Sequence, residues 1–212
     1  MTPGSSGLRA IGRSATASSG SNSNPNNLTG NNLTPGTALP KLVEADPRGA
    51  QLLLDLTLHS VPLWSGSEVR IPVASMSDAL AAALKSAYSA SRVVRGMEGA
   101  EQTLATEERG LRNADQQSGA PRGVRVSRLL ILANDGAERF YRQVESLLRR
   151  HGPRVLAVRV AVDAEALGAL LFGPGRRARL LMLEHKDAVA AVLLAMAGQW
   201  GDGEPDSQPG SH

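Results

Sequence analysis

The chain has 212 residues, 42% of them hydrophobic, a formal net charge of +3 and no cysteine. That length fits one domain with tails, and the absence of cysteine excludes disulfides, cysteine-ligated zinc and thiol catalysis. With only two Trp, two Tyr and two Phe, packing must rest on Leu, Val and Ala.

The charge is unevenly spread. Residues 76–199 hold 18 basic and 13 acidic residues, whereas 200–212 hold three acids and neither Lys nor Arg. Twenty of the 23 basic residues are arginine. Its planar fork suits phosphate and stacks on bases, although codon composition alone can produce such a bias. The longest apolar run, 188–197, is about half of the ~20 residues that a membrane span needs, so no membrane partner is expected.

In chain order, residues 1–40 are Ser, Asn, Gly, Thr and Pro in low-complexity order, and are expected to form a disordered tail. The first twenty are Ser-rich with Arg9 and Arg13, and no acid precedes Glu44, as in mitochondrial transit peptides. Pro3, Gly4 and Gly7 would interrupt an amphipathic helix there, so nucleolar, nuclear and cytoplasmic locations stay open beside the mitochondrial one. Residues 41–75 form an extension of unknown role, with a short helix expected at 50–58 and a strand at 68–73.

From Ser75 the pattern becomes regular. Ser75 and Asp78 resemble a capping box, followed by Leu80, Leu84, Ala87 and Tyr88 at helical spacing, which predicts a helix over 76–91. A short strand at Val93 and Val94 ends at Gly96, and a helix follows over 97–107. Gly110, Asn113, Asp115, Gly119, Pro121 and Gly123 then predict a surface loop insertion at 109–125. Residues 129–133 are apolar at strand length, suited to a buried central strand. Phe140, Tyr141, Val144, Leu147, Leu148 and His151 trace one helical face, with Glu138–Arg142 and Glu145–Arg149 as i,i+4 pairs opposite. A strand at 155–162, a helix capped by Asp163, a Gly173-Pro174-Gly175 turn, a strand at 179–183 and a helix at 187–197 complete the order. Such alternation predicts a three-layer α/β/α sandwich over 76–199, with an acidic disordered tail at 200–212.

Three blocks in this order carry a family resemblance: LKSAYSASRVVRGMEGAEQTL at 84–104, LLILANDGAE at 129–138 and VAVDAEALGALLFGPGRRARLLML at 160–183. Together they resemble the ribosomal L-seven-Ae / L-thirty-e superfamily of kink-turn RNA-binding proteins. The resemblance implies a four-stranded mixed sheet between helices, with structured RNA bound at one end and protein subunits of a ribonucleoprotein particle as further partners. It implies that Gly96 opens the second helix and that Met97, Glu98, Gly99 and Gln102 occupy RNA-reading positions. At 98, 99 and 102 the residues depart from the family's. It places Asn134 and Asp135 beside the RNA site, where both also suit capping of the helix that follows. Leu167 and Gly168 match the family's leucine-glycine. The loop 172–177, with Arg176 and Arg177, is expected near phosphate, and Arg92, Arg95 and Arg179 are expected at the same end.

Enzyme signatures are missing. None of His59, His151, His185 and His212 stands at metal-ligand spacing. No Gly-x-Ser-x-Gly elbow and no phosphate-loop lysine motif occurs. No catalysis, no cofactor and no small-molecule substrate is expected. The rival reading is a protein–protein scaffold that has lost kink-turn recognition.

Overall fold

The computed structural model describes residues 38–118 and 125–200. The transit-peptide-like segment, the acidic tail beyond Trp200 and the Gly119, Pro121 and Gly123 part of the expected insertion lie outside them. The elements are α1 (Lys41–Glu44), α2 (Gly49–Leu58), β1 (Ser60–Pro62), β2 (Arg70–Ala74), α3 (Asp78–Ser89), β3 (Val93–Arg95), α4 (Gly96–Ser118), β4 (Arg128–Leu132), α5 (Glu138–His151), β5 (Val155–Val160), α6 (Ala164–Phe172), β6 (Leu180–Leu183) and α7 (Lys186–Ala195).

The sheet is mixed and has six strands, not the expected four, in the order β1-β2-β5-β4-β6-β3. β2, β5 and β4 are mutually parallel neighbours, while β6 runs antiparallel to both β4 and β3. The two additional strands come from the extension: β1 pairs antiparallel with β2, and β2 joins the edge at β5. Segment 41–75 is thus built into the sheet and the cores. Its first strand is only three residues long and left no alternation to read.

Alternation along the strands explains the layers. Leu129, Ile131, Leu156, Val158, Val160, Leu181 and Leu183 face one core with α1, α2, α3, α6 and α7. Leu130, Leu132, Val155, Ala157, Leu180 and Met182 face the other, under α4 and α5. Successive strand side chains point to opposite faces, so strands apolar at every position need a helical layer on each side. The three-layer expectation and this pattern agree.

Four boundaries differ from expectation. Helix α4 runs on to Ser118, so residues 109–118 are helical rather than looped. Gly110 costs a helix about 1 kcal/mol, but Arg112 pairs with Glu108 one turn back and Glu107 is anchored to Arg128 at the start of β4 and to Arg154 just before β5. The cap of α3 is Ser77, whose Oγ accepts the Leu80 N–H at 3.2 Å, and not Ser75, whose N–H instead donates to Gln199 Oε1. Leu39, assigned to the tail, is buried in the first core, next to a bridge between Ala38 and Arg125. Trp200, likewise assigned to a tail, stacks on His59 at 5.6 Å and donates its indole N–H to Val73 O.

Glu145 shows how the extension locks the second layer. The Glu145–Arg149 pair forms at 2.7 Å, but Glu145 is buried rather than on the open face. The segment 63–69 folds over α5, so the Trp64 indole N–H and the Ser67 hydroxyl also donate to its carboxylate. Burial pushes this carboxyl up; the bonds from Arg149, Trp64 and Ser67 outweigh it and hold it below the ordinary carboxylate range. A depressed folded value means that the contribution is complete above pH about 4.3 and is lost as acid protonates the folded state. Glu145→Ala should therefore cost about 2–3 kcal/mol at neutral pH, with the deficit shrinking in acid. Urea denaturation at both pH values checks this; an equal deficit at both would contradict the ionic anchoring.

Candidate nucleic-acid interface

The strand registers bring one set of loops together. Leu132, at the end of β4, pairs with Arg159 of β5 and with Leu180 at the start of β6, and Arg159 also pairs with Val73 of β2. Arg95, at the end of β3, pairs with Leu181. The carboxyl ends of β2, β3, β4 and β5 therefore share one end of the sheet with the loop entering β6. Helices α3, α4, α5 and α6 begin there, each presenting its positive dipole end.

Gly96 is built for the corner between β3 and α4. Its φ of +83° lies in the left-handed region that glycine alone enters freely. It lines a cleft of about 300 Å³ with Met97, Phe140, Arg177, Arg179 and Leu180.

The loop before β6 is held by specific contacts. Gly173 and Gly175 both have positive φ, which gives the turn its shape. A Cβ at Gly168 would lie 1.7 Å from the Arg176 carbonyl oxygen, so the loop backbone packs directly on α6. Ala178 N–H donates to Ala164 O at 2.7 Å. Arg95 donates to the Arg177 carbonyl, and its guanidinium lies 4.7 Å over the Phe172 ring. Arg177 pairs with Asp135 at 3.2 Å. Arg176 and Arg179 are exposed, and neither side chain makes a hydrogen bond or ion pair to the described residues.

Of the residues singled out in the sequence, Arg95, Gly96, Met97, Arg176, Arg177 and Arg179 gather here. Glu98 and Gln102 are exposed on the first turns of α4, while Gly99 packs closely on Val94. Arg92 does not join them: it precedes β3 at the opposite end, where its carbonyl accepts from Glu184 N–H, about 10 Å along the strand from Arg95. Leu167 is wholly buried in the first core and presents no surface. α6 is capped by Asp163, as expected, and Asp135 satisfies a further free N–H at the start of that helix rather than of the one that follows it. Its Oδ1 accepts from Ala164 N–H of α6 at 3.0 Å, and α5 has Ala137 at its N-cap without a side-chain bond. Asn134 faces a separate cleft of about 430 Å³ that includes Trp64, Tyr141 and Arg159.

Phe140 was missed as a site residue, because a helical stripe of apolar residues reads as core. The sequence signal for it was weak: it stands at the margin of the stripe, next to an uncapped helix start. Among the described residues no group of three His, Asp or Glu is placed to hold a metal ion, and no helix is long and apolar enough to cross a membrane.

No family model and no curated protein matches the chain. Among solved structures it is similar to a Bacillus halodurans protein with unknown function, at 19% identity over 54% of this chain and 95% of that one, with a TM-score of 0.34. It is also similar to a Giardia lamblia 15.5kD RNA binding protein, at 20% identity over 56% of this chain and 82% of that one, with a TM-score of 0.36. Both scores lie below 0.5.

Gly168 offers a direct check on the loop. Gly168→Ala would add helix propensity worth about 1 kcal/mol, but its methyl would overlap the Arg176 carbonyl. The clash should dominate, with a net loss of about 1–3 kcal/mol and displacement of the 173–179 loop. Thermal denaturation measures the sign; a stabilised variant would mean that the loop is not packed on α6.

Proposed function

We propose that this chain binds structured RNA at the carboxyl end of its sheet, as a component of a ribonucleoprotein particle, and that it catalyses nothing. One observation carries the reading. Arg179 lines the cleft with Arg177 and Gly96, Arg176 is exposed on the same loop, and neither Arg176 nor Arg179 has a hydrogen-bond or ion-pair partner among the described residues. The loop beneath them is held by Arg95, Asp135 and the close approach to Gly168. Fixed backbone with free charges suits phosphate, because little ordering entropy remains to be lost on binding. The converging helix N-termini add to the same field.

The departures on α4 bear on which RNA is taken. Exposed Glu98 in the first turn of α4 would repel phosphate unless it accepts from a base amino group. We therefore read the chain as a relative of kink-turn binders with altered recognition. A protein scaffold within a ribonucleoprotein particle is the second reading. It is favoured by the acids on α4 and by the exposed Leu42, Leu53, Leu54 and Leu58 on α1 and α2.

Capture of the tagged chain from its own cells, with and without RNase, separates the two. RNA binding predicts an enriched structured RNA that RNase removes. Protein partners that survive RNase, with no RNA enriched, would favour the scaffold. With the captured RNA, Arg176→Ala combined with Arg177→Ala should weaken binding at least tenfold and lower the salt slope by about 1.5. Unchanged affinity and slope would remove these arginines from the interface. Glu98→Asn should tighten binding to a kink-turn RNA, and no gain would mean that this contact has been rebuilt.

A further inference from the structure

The outer surface of α5 has a composition that neither folding nor the rim explains. Beyond Glu138, its exposed residues are Arg139, Arg142, Gln143, Ser146, Arg149 and Arg150. The only other acid on the helix, Glu145, is buried. From Arg139 to Arg150 the open face is therefore arginine and neutral polar residues alone. Arg139, Gln143, Ser146 and Arg150 follow one another at four, three and four residues, which places them in one stripe about 16 Å long.

Ordinary helix electrostatics accounts for part of this. Arg149 and Arg150 lie in the last turn, where a cation favours the negative end of the helix dipole. Arg142 is bonded to Glu138 and lies 4.2 Å over Trp64, and Arg149 is bonded to Glu145. Arg139 is different. It stands in the first turn, where a cation opposes the dipole, and among the described residues it has neither a hydrogen bond nor an ion pair. Arg150 likewise makes neither contact, although its charge helps, after burial, to push the His151 imidazole below its ordinary range. These two cations mark the ends of the stripe.

The first turns of the neighbouring helix have the opposite character. α4 packs beside α5 in the same layer and exposes Glu98 and Glu101 in its first turns. A polyanion meeting this layer is repelled from the start of α4 and attracted along α5. The stripe is also continuous with the rim, because Phe140, next to Arg139, lines the cleft with Arg177 and Arg179.

We propose that a phosphodiester backbone runs from the Arg177–Arg179 rim along the exposed face of α5, with Arg139 and Arg150 as phosphate contacts and Gln143 and Ser146 as neutral hydrogen-bonding groups between them. This rests on the RNA-binding reading above and deepens it by displacing the RNA path from α4 to α5. The partner is a nucleic acid long enough to cover both the rim and the helix.

The test uses the full-length chain and a fluorescently labelled RNA hairpin with an internal bulge, titrated at several salt concentrations. Arg139→Ala with Arg150→Ala should reduce affinity at least about tenfold and lower the salt slope by about 1.5, as loss of two phosphate contacts requires. Both side chains are exposed and have no hydrogen bond or ion pair among the described residues, and their opposite effects on the helix dipole offset, so circular dichroism should be unchanged and stability should stay within about 1 kcal/mol. Lys41→Ala with Lys85→Ala removes the same charge from the opposite helical layer and should leave affinity and slope within about twofold. If the α5 pair behaves like this control while Arg176→Ala with Arg177→Ala still weakens binding, the α5 path is wrong and the rim reading stands. If the intact chain fails to bind the hairpin at any salt concentration, both are overturned.

Discussion

Strand β4 is buried on both faces, and much of the architecture answers to that constraint. Leu129, Leu130, Ile131 and Leu132 have no exposure to solvent, and each such burial is worth about 1.5–3 kcal/mol. Neither face of the strand can be left to water, so α5 and α7 must lie on opposite sides of it. Its parallel pairing with β5 demands a crossover, which α5 supplies. A parallel strand followed by a returning helix puts the helix N-terminus at the carboxyl end of the strand. Repeated for β2, β4 and β5, this geometry collects helix starts and loops at one end. The positive field there is a consequence of how the core is covered.

Within that end, charges divide into those that hold structure and those that do not. Asp135 joins two tasks, accepting the Ala164 N–H at the start of α6 through one oxygen and holding Arg177 through the other. Arg95 fixes the same loop through a carbonyl and stacks on Phe172. These contacts leave Arg176 and Arg179 without partners among the described residues, on a loop whose backbone packs directly on α6. The cost of ordering that loop is met in folding, which leaves the free cations to act on a partner.

The extension matters through what it does to α5. By covering the flank of the helix with Trp64 and Ser67, it draws Glu145 inward and removes its charge from the surface. The arginines remain outside. α4 and α5, side by side in one layer, thereby differ: the first turns of α4 expose Glu98 and Glu101, whereas beyond Glu138 the open face of α5 carries arginines and neutral polar residues.

The sequence by itself determined the elements whose side-chain period is strong. β4, α5, β5, α6, β6 and α7 were legible to within a few residues, because burial of a stripe or of both strand faces writes a local pattern. It also located Gly96, the Gly173–Gly175 turn and most of the arginine rim. Tertiary structure decided the rest. β1 and α1 are too short to carry a period, and α4 continues past Gly110 because partners on β4 and in the loop after α5 hold its glutamates. Arg92 and Arg95 look equivalent in sequence, yet a strand of three residues puts them at opposite ends. Asp135 looked like the cap of the next helix, and instead accepts an N–H of Ala164, 29 residues later, at the start of α6. Periodicity is a property of neighbours along the chain, whereas the partner of a charge or of an unfilled N–H is set by which distant elements the core brings together.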